Sequence, residues 1–89
     1  MYTTSRYASS ATRRLAKEMA GEAGEAYVAR GKKSLDSLAA QARRAGEDTI
    51  KVVEEKGGLP FRIATAGVDA LGRWRWMGER LLNSAGQSG

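Results

Sequence analysis

The feature that most restricts the fold is an alternation of periodicity along the chain. Segments whose apolar residues recur at helical spacing are separated by short segments rich in β-formers. Layering helices on a sheet buries both kinds economically. Met1-Tyr2-Thr3-Thr4 reads as a strand that stops at Ser5-Arg6. Ser9 or Ser10 can cap the helix that follows, in which Thr12, Leu15, Ala16 and Met19 share one face and Arg13, Arg14, Lys17 and Glu18 take the other. Gly21 and Gly24 end it, and Tyr27-Val28-Ala29 reads as a second short strand.

A loop, Arg30-Gly31-Lys32-Lys33, leads to Ser34 as the next N-cap. Leu35, Leu38, Ala39 and Ala42 then form the buried face of a second helix, and Gly46 sits where a C′ glycine belongs. Thr49 to Glu54, with Ile50, Val52 and Val53, reads as a buried strand, and Lys56-Gly57-Gly58 as a turn. Leu59, Phe61 and Ile63 alternate with Pro60, Arg62 and Ala64 as in a half-exposed strand. Pro60 places that strand at a sheet edge or places a strand start there. From Val68 the pattern changes to an irregular turn and a helix through Leu81 and Leu82, and Asn83 to Gly89 reads as a flexible tail. The expected order is β-α-β-α-β-β, an α/β fold with a mixed, mostly parallel sheet, two packed helices and a C-terminal helical tail. The expected divisions are residues 1–66 (α/β unit), 67–82 (turn and helix) and 83–89 (tail).

Composition narrows the function. The 89 residues form one small domain, without cysteine for a disulfide and without histidine, the commonest general base and metal ligand. Fifteen Lys and Arg against ten Asp and Glu give a net charge of +5, which points to a polyanionic partner or serves only solubility. No stretch approaches the roughly 20 apolar residues that span a bilayer, and no secretory h-region opens the chain. The expectation is a cytoplasmic protein without a membrane partner.

The basic residues acquire positions from the strand order. In a parallel arrangement the loops leaving the carboxyl ends of the strands open on one edge, where α/β sheets generally bind their ligands. Here those loops run from Ser5 to Ser9, Arg30 to Lys33 and Lys56 to Gly58, and carry Arg6, Arg30, Lys32, Lys33 and Lys56. Two of them enter helix N-termini, whose free N–H groups favour phosphate, and Arg13 can add a charge to the same edge. Gly31 lets the backbone come close, while arginine forks onto phosphate oxygens or base edges. The bland alternative is a set of solvated loop charges. The candidate polyanion-binding residues are therefore Ser5, Arg6, Arg13, Arg30, Gly31, Lys32, Lys33 and Lys56, which the family resemblance described below would make RNA-binding.

Other chemistry finds little support. The serines have no histidine to activate them. Glu47-Asp48 and Glu54-Glu55 lack metal-ligand spacing and read as solvent-facing. No Walker-type or dinucleotide glycine pattern occurs. Neither an enzyme nor a cofactor is expected. Arg73-Trp74-Arg75-Trp76-Met77 can stack on bases or sit at a membrane interface, but reads first as tryptophans closing over a core with arginines outside.

Three blocks also resemble a known family. Thr3-Thr4-Ser5-Arg6 with Ser9 or Ser10, Thr12-Arg13 and Ala16-Lys17-Glu18 is similar to the opening of the Brix-domain proteins. Arg30-Gly31-Lys32-Lys33-Ser34-Leu35-Asp36-Ser37-Leu38 resembles that family's second block, and Val52-Val53-Glu54-Glu55-Lys56-Gly57-Gly58-Leu59-Pro60 its third. The form is closest to the short archaeal members, which resemble the eukaryotic small-subunit processing factor. The resemblance implies a role in ribosome biogenesis, with ribosomal RNA or its precursor and other assembly proteins as partners and no catalysis. It also implies a fold like the anticodon-binding domain of class II aminoacyl-tRNA synthetases, two such halves making the usual domain. Only the N-terminal half is visible here, residues 64–89 match poorly, and Tyr7-Ala8 stands where the family tends to have a proline after the first arginine. A lone half leaves a face that a second copy would cover as a homodimer, through Trp74, Trp76 and Met77. The competing function is a protein-interaction module without direct RNA contact; a nuclease is a distant third.

Overall fold

The computed structural model describes residues 1–82. β1 (Tyr2–Thr4) is followed by α1 (Ser10–Ala23), α2 (Leu35–Arg44), β2 (Thr49–Lys56), β3 (Leu59–Val68) and β4 (Trp74–Leu81). The four strands form one sheet in the order β1-β2-β3-β4. β1 lies parallel to β2, with Thr3 beside Val52, whereas β2–β3 and β3–β4 are antiparallel.

Both helices begin where their caps dictate. The Ser9 side chain accepts from the Thr12 N–H, and the Ser34 side chain accepts from the Ser37 N–H. α1 runs through Gly21 and stops at Gly24, which takes the left-handed backbone of a C-terminal cap. The two helices cover opposite faces of the sheet. Adjacent residues of a strand point to opposite sides, so Val52 joins the cluster of Met1, Ile50, Ala66 and Val68 against Leu38, Ala39 and Ala42 of α2. Val53 points the other way, to the cluster of Tyr2 and Ile63 against Ala16 and Ala20 of α1. Alanines at the contact let each helix lie close to the strands. An Arg62 guanidinium bridging Glu54 (2.5 Å) and Glu79 (3.0 Å) ties β2, β3 and β4 together.

The α/β class, the mixed sheet and its two packed helices stand as expected, but several details differ. The sheet is mainly antiparallel, because the expected strand at Tyr27-Val28-Ala29 contracts to a single bridge from Tyr27 to Tyr2. That bridge still occupies the outer edge of β1: Tyr2 N–H donates to the Ala26 carbonyl and Val28 N–H to the Tyr2 carbonyl, each at 2.8 Å. β3 is interior, so of the two placements expected from Pro60 the strand start holds and the edge does not. Pro60 is tolerated because it is the second residue of β3, beside the irregularity where Glu54 pairs Arg62 but Glu55 pairs Pro60, and the β4 pairing reaches only Arg62.

The expected C-terminal helix is β4. Trp74 and Trp76 alternate at strand spacing, and Asp69 nucleates a turn by accepting the Leu71 and Arg73 N–H groups at 2.9 Å. β3 continues to Val68, so the boundary expected between residues 66 and 67 falls inside a strand. The expected tail, Asn83 to Gly89, lies outside the described residues. Trp74 packs partly into the α2-side core, and Trp76 is 48% exposed, so only one tryptophan follows the core reading.

Leu38 has no exposed surface, while Leu59 is 64% exposed. Leu38→Ala is expected to cost roughly 2–5 kcal/mol, a large share of a small domain's stability. Leu59→Ala is expected to stay within about 0.5 kcal/mol. Urea unfolding followed by circular dichroism measures both.

Candidate nucleic-acid interface

The sheet is only partly parallel, yet the parallel β1–β2 pair and the parallel Tyr2–Tyr27 bridge together bring the basic loops to one edge. Leaving β1, Ser5 N–H donates to the Val53 carbonyl at 3.1 Å, holding the start of the loop to β2. Arg6 and Tyr7 are exposed and Ala8 is buried. At the loop's end Ser9 donates through its hydroxyl to the Gly58 carbonyl at 2.8 Å, fastening it to the β2–β3 hairpin. That hairpin is a two-residue turn with Gly57 and Gly58 at φ 61° and 80°, which a type I′ geometry requires at both positions.

Arg30 fastens the other loop. Its Nη1 donates to the Thr4 carbonyl at 2.9 Å and its Nε to the Lys33 carbonyl at 2.7 Å. The guanidinium thereby staples residues 30–33 to the end of β1. Gly31 supplies the positive φ of 52° that the turn needs, and open space surrounds the position of its missing Cβ. Its role in the fold is conformational. Lys33 closes the turn by donating from Nζ to the Ala29 carbonyl at 3.2 Å, and Lys32 projects without such a tether among the described residues.

Ser5, Arg13, Arg30, Gly31 and Lys32 line one cleft of about 330 Å³ together with Tyr7, and no carboxylate lines it. Arg6 and Arg30 line a second, adjoining cleft of about 310 Å³, whose other walls include Asp36 and Trp74. Arg30 therefore stands between the two. Its desolvation and the nearby Arg6 charge push its pKa below the ordinary arginine value, without discharging a guanidinium that titrates so high. Among the described residues neither Arg6 nor Arg30 is paired with a carboxylate. Lys56, at the exposed end of β2, lines neither cleft.

The expectation of open helix N-termini is corrected by two acidic residues. Glu55 Oε1 accepts from the Ser9 N–H at 2.9 Å and from the buried Thr12 hydroxyl at 2.6 Å. A carboxylate of the protein thus occupies the start of α1, where an anion would bind. α2 carries Asp36 in its own first turn, and Asp36 accepts from the Trp74 indole N–H at 2.7 Å. Anion binding at this edge therefore falls to side chains. Of the acidic pairs Asp48 is exposed as expected, but the other three are engaged: Glu54 holds Arg62, Glu55 holds α1, and Glu47 accepts from the Met1 amino group at 2.9 Å. An isolated glutamate in the sequence does not announce such a contact, although Thr12 on the apolar face of α1 was a clue that a buried hydroxyl needed a partner.

No family model matches the chain, and no curated protein matches it. Solved structures do. Over 93% of its length the chain matches 47% of a probable ribosomal biogenesis protein from Aeropyrum pernix K1, with 30% identity and a TM-score of 0.84. Over 92% of its length it matches 50% of Mil, an archaeal Imp4-like protein, with 34% identity and a TM-score of 0.76. The resemblance to Brix-type, Imp4-like proteins is thus borne out over nearly the whole chain. It spans about half the length of these Imp4-like and biogenesis structures. Among the described residues no helix is long and apolar enough to cross a membrane.

The Glu55 clamp titrates. Hydrogen bonds from the Thr12 hydroxyl and the Ser9 N–H, larger than the opposing desolvation, hold its pKa below the ordinary 4.5. A depressed folded pKa stabilises the fold above the unfolded value and ceases to do so as pH falls through the folded one. Wild type is therefore expected to melt above Glu55→Gln at pH 7, with the gap narrowing below about pH 4. Paired thermal melts across that range check it; a gap unchanged down to pH 2.5 would contradict the assignment.

Proposed function

We propose that this chain is a non-catalytic, cytoplasmic ribosome biogenesis module. In this reading it binds ribosomal RNA or its precursor, in small-subunit assembly, through Ser5, Arg6, Arg13, Arg30, Gly31, Lys32 and Lys33. Lys56 contributes charge from the neighbouring hairpin. The observation that carries the reading is the placement of Arg6 and Arg30 on one cleft, neither paired with a carboxylate among the described residues, so that their charges repel. Folding gains nothing from that repulsion, and a bound phosphate would relieve it. The matched ribosomal biogenesis and Imp4-like structures support the same role. The half-domain in this reading runs to Leu82, with β4 part of it.

A second reading, a protein-interaction module, has its own observation. Trp76, Met77 and Leu81 of β4 are 48%, 63% and 69% exposed, a cluster of large apolar side chains on the outermost strand. Another assembly protein would seat there, or a second copy in a homodimer; sedimentation at high concentration distinguishes the copy by its doubled mass.

Arg30 also staples its loop, so the discriminating variant leaves it in place. Arg6→Ala/Lys32→Ala/Lys56→Ala is expected to weaken binding of a small-subunit ribosomal RNA fragment more than tenfold at low salt. It should also flatten the slope of log K against log salt by about 2. Fluorescence anisotropy across a salt series measures both. An unchanged affinity and slope, with loss of partner binding on changing Trp76 and Met77, would instead establish the protein-interaction reading.

A further inference from the structure

Tyr7 is explained by neither folding nor solubility. Its side chain is 82% exposed, so the ring gains little from burial. Its backbone nevertheless sits at φ 60°, the one positive φ outside glycine among the described residues. Bulky L residues rarely adopt that conformation, which glycine or asparagine would take at lower cost. The sequence thus keeps an aromatic ring where both backbone preference and exposure argue against one. Strain of this kind persists only where the surroundings impose it, and it concentrates at functional positions.

The surroundings do impose it. On one side Ser5 is held to β2 through the Val53 carbonyl. On the other, the Ala8 carbonyl accepts from Arg13 Nη1 at 2.6 Å, and Ser9 is fixed between Glu55 and Gly58. Tyr7 is the raised residue between two fastened points. Tyr7 lines the cleft of about 330 Å³ with Arg13, Arg30, Gly31 and Lys32, and no carboxylate lines it. Bare phosphate would need the cations but not the ring. An apolar peptide would need the ring but not three cations. A nucleotide uses both, presenting a flat base beside a phosphate.

We propose that Tyr7 is a stacking platform for an unpaired nucleobase, with Arg30 and Lys32 holding the adjoining phosphate. The proposal rests on the RNA reading above and specifies its ligand as single-stranded RNA. In an A-form duplex the base faces are stacked on one another and closed to such a ring.

The full chain, titrated by anisotropy with a mixed-sequence single-stranded RNA oligonucleotide and with the matched duplex, tests it. Wild type is expected to prefer the single strand. Tyr7→Asn, which suits the backbone, is expected to melt no lower than wild type yet to lose about tenfold or more in single-strand affinity. Its duplex affinity and salt slope should stay unchanged, and Tyr7→Phe should bind as wild type. If Tyr7→Asn binds the single strand as tightly as wild type, the stacking proposal is overturned, while salt-steep wild-type binding keeps the RNA reading. If wild type binds neither RNA, the reading falls and the proposal with it.

Discussion

The Glu55 carboxylate joins parts of the chain that would otherwise be independent. It lies at the end of β2, beside the hairpin, and accepts from the Ser9 N–H and the buried Thr12 hydroxyl at the opening of α1. With the Ser9-to-Gly58 bond it fixes the β1–α1 loop against the β2–β3 hairpin. The clamp has a second consequence. A carboxylate placed over the start of α1 takes the position that a phosphate would otherwise seek. The helix dipole is used within the fold, and under the proposed function an anion would be met by side chains that the clamped loops carry.

How much of this was legible follows from which interactions are local. Ser9, Ser34 and Gly24 mark helix ends because a cap satisfies backbone groups within a few residues. Gly57-Gly58 announces a hairpin for the same reason. The gathering of Ser5, Arg6, Arg30 and Lys32 was also legible, though through a topology more parallel than the real one. The parallel Tyr2–Tyr27 bridge is enough to bring the loop after Tyr27 to the carboxyl end of β1.

The remainder depended on distant partners. Tyr27 meets β1 for one residue, and no local pattern limits how long such a bridge extends. β4 hides its alternation because its register slips where Thr65 pairs Gly78 but Ala66 pairs Trp76, leaving Met77 as an extra residue. That slip breaks the period of 2 from which a strand is read. Arg30 was read as a free cation, yet two of its donors hold backbone carbonyls. Glu55 was read as a solvated charge, since nothing in its own neighbourhood points to α1.

Arg30 shows why structural and binding roles need not compete at this edge. A guanidinium carries five N–H donors in a rigid fork, and bonds to the Thr4 and Lys33 carbonyls use its Nη1 and Nε. Those bonds fix the plane of the group and leave the remaining donors directed by it. An arginine immobilised before a ligand arrives has less rotamer entropy left to lose, which is the main cost of using so long a side chain. The same logic applies to the loop across the cleft, where Arg13 and Glu55 hold the backbone on one side of Tyr7 and β2 holds the other. In a chain whose two small cores each rest on one helix, stability is scarce. Hydrogen bonds placed on surface loops then call for an explanation, and under the proposed function preorganisation of the basic edge would supply one.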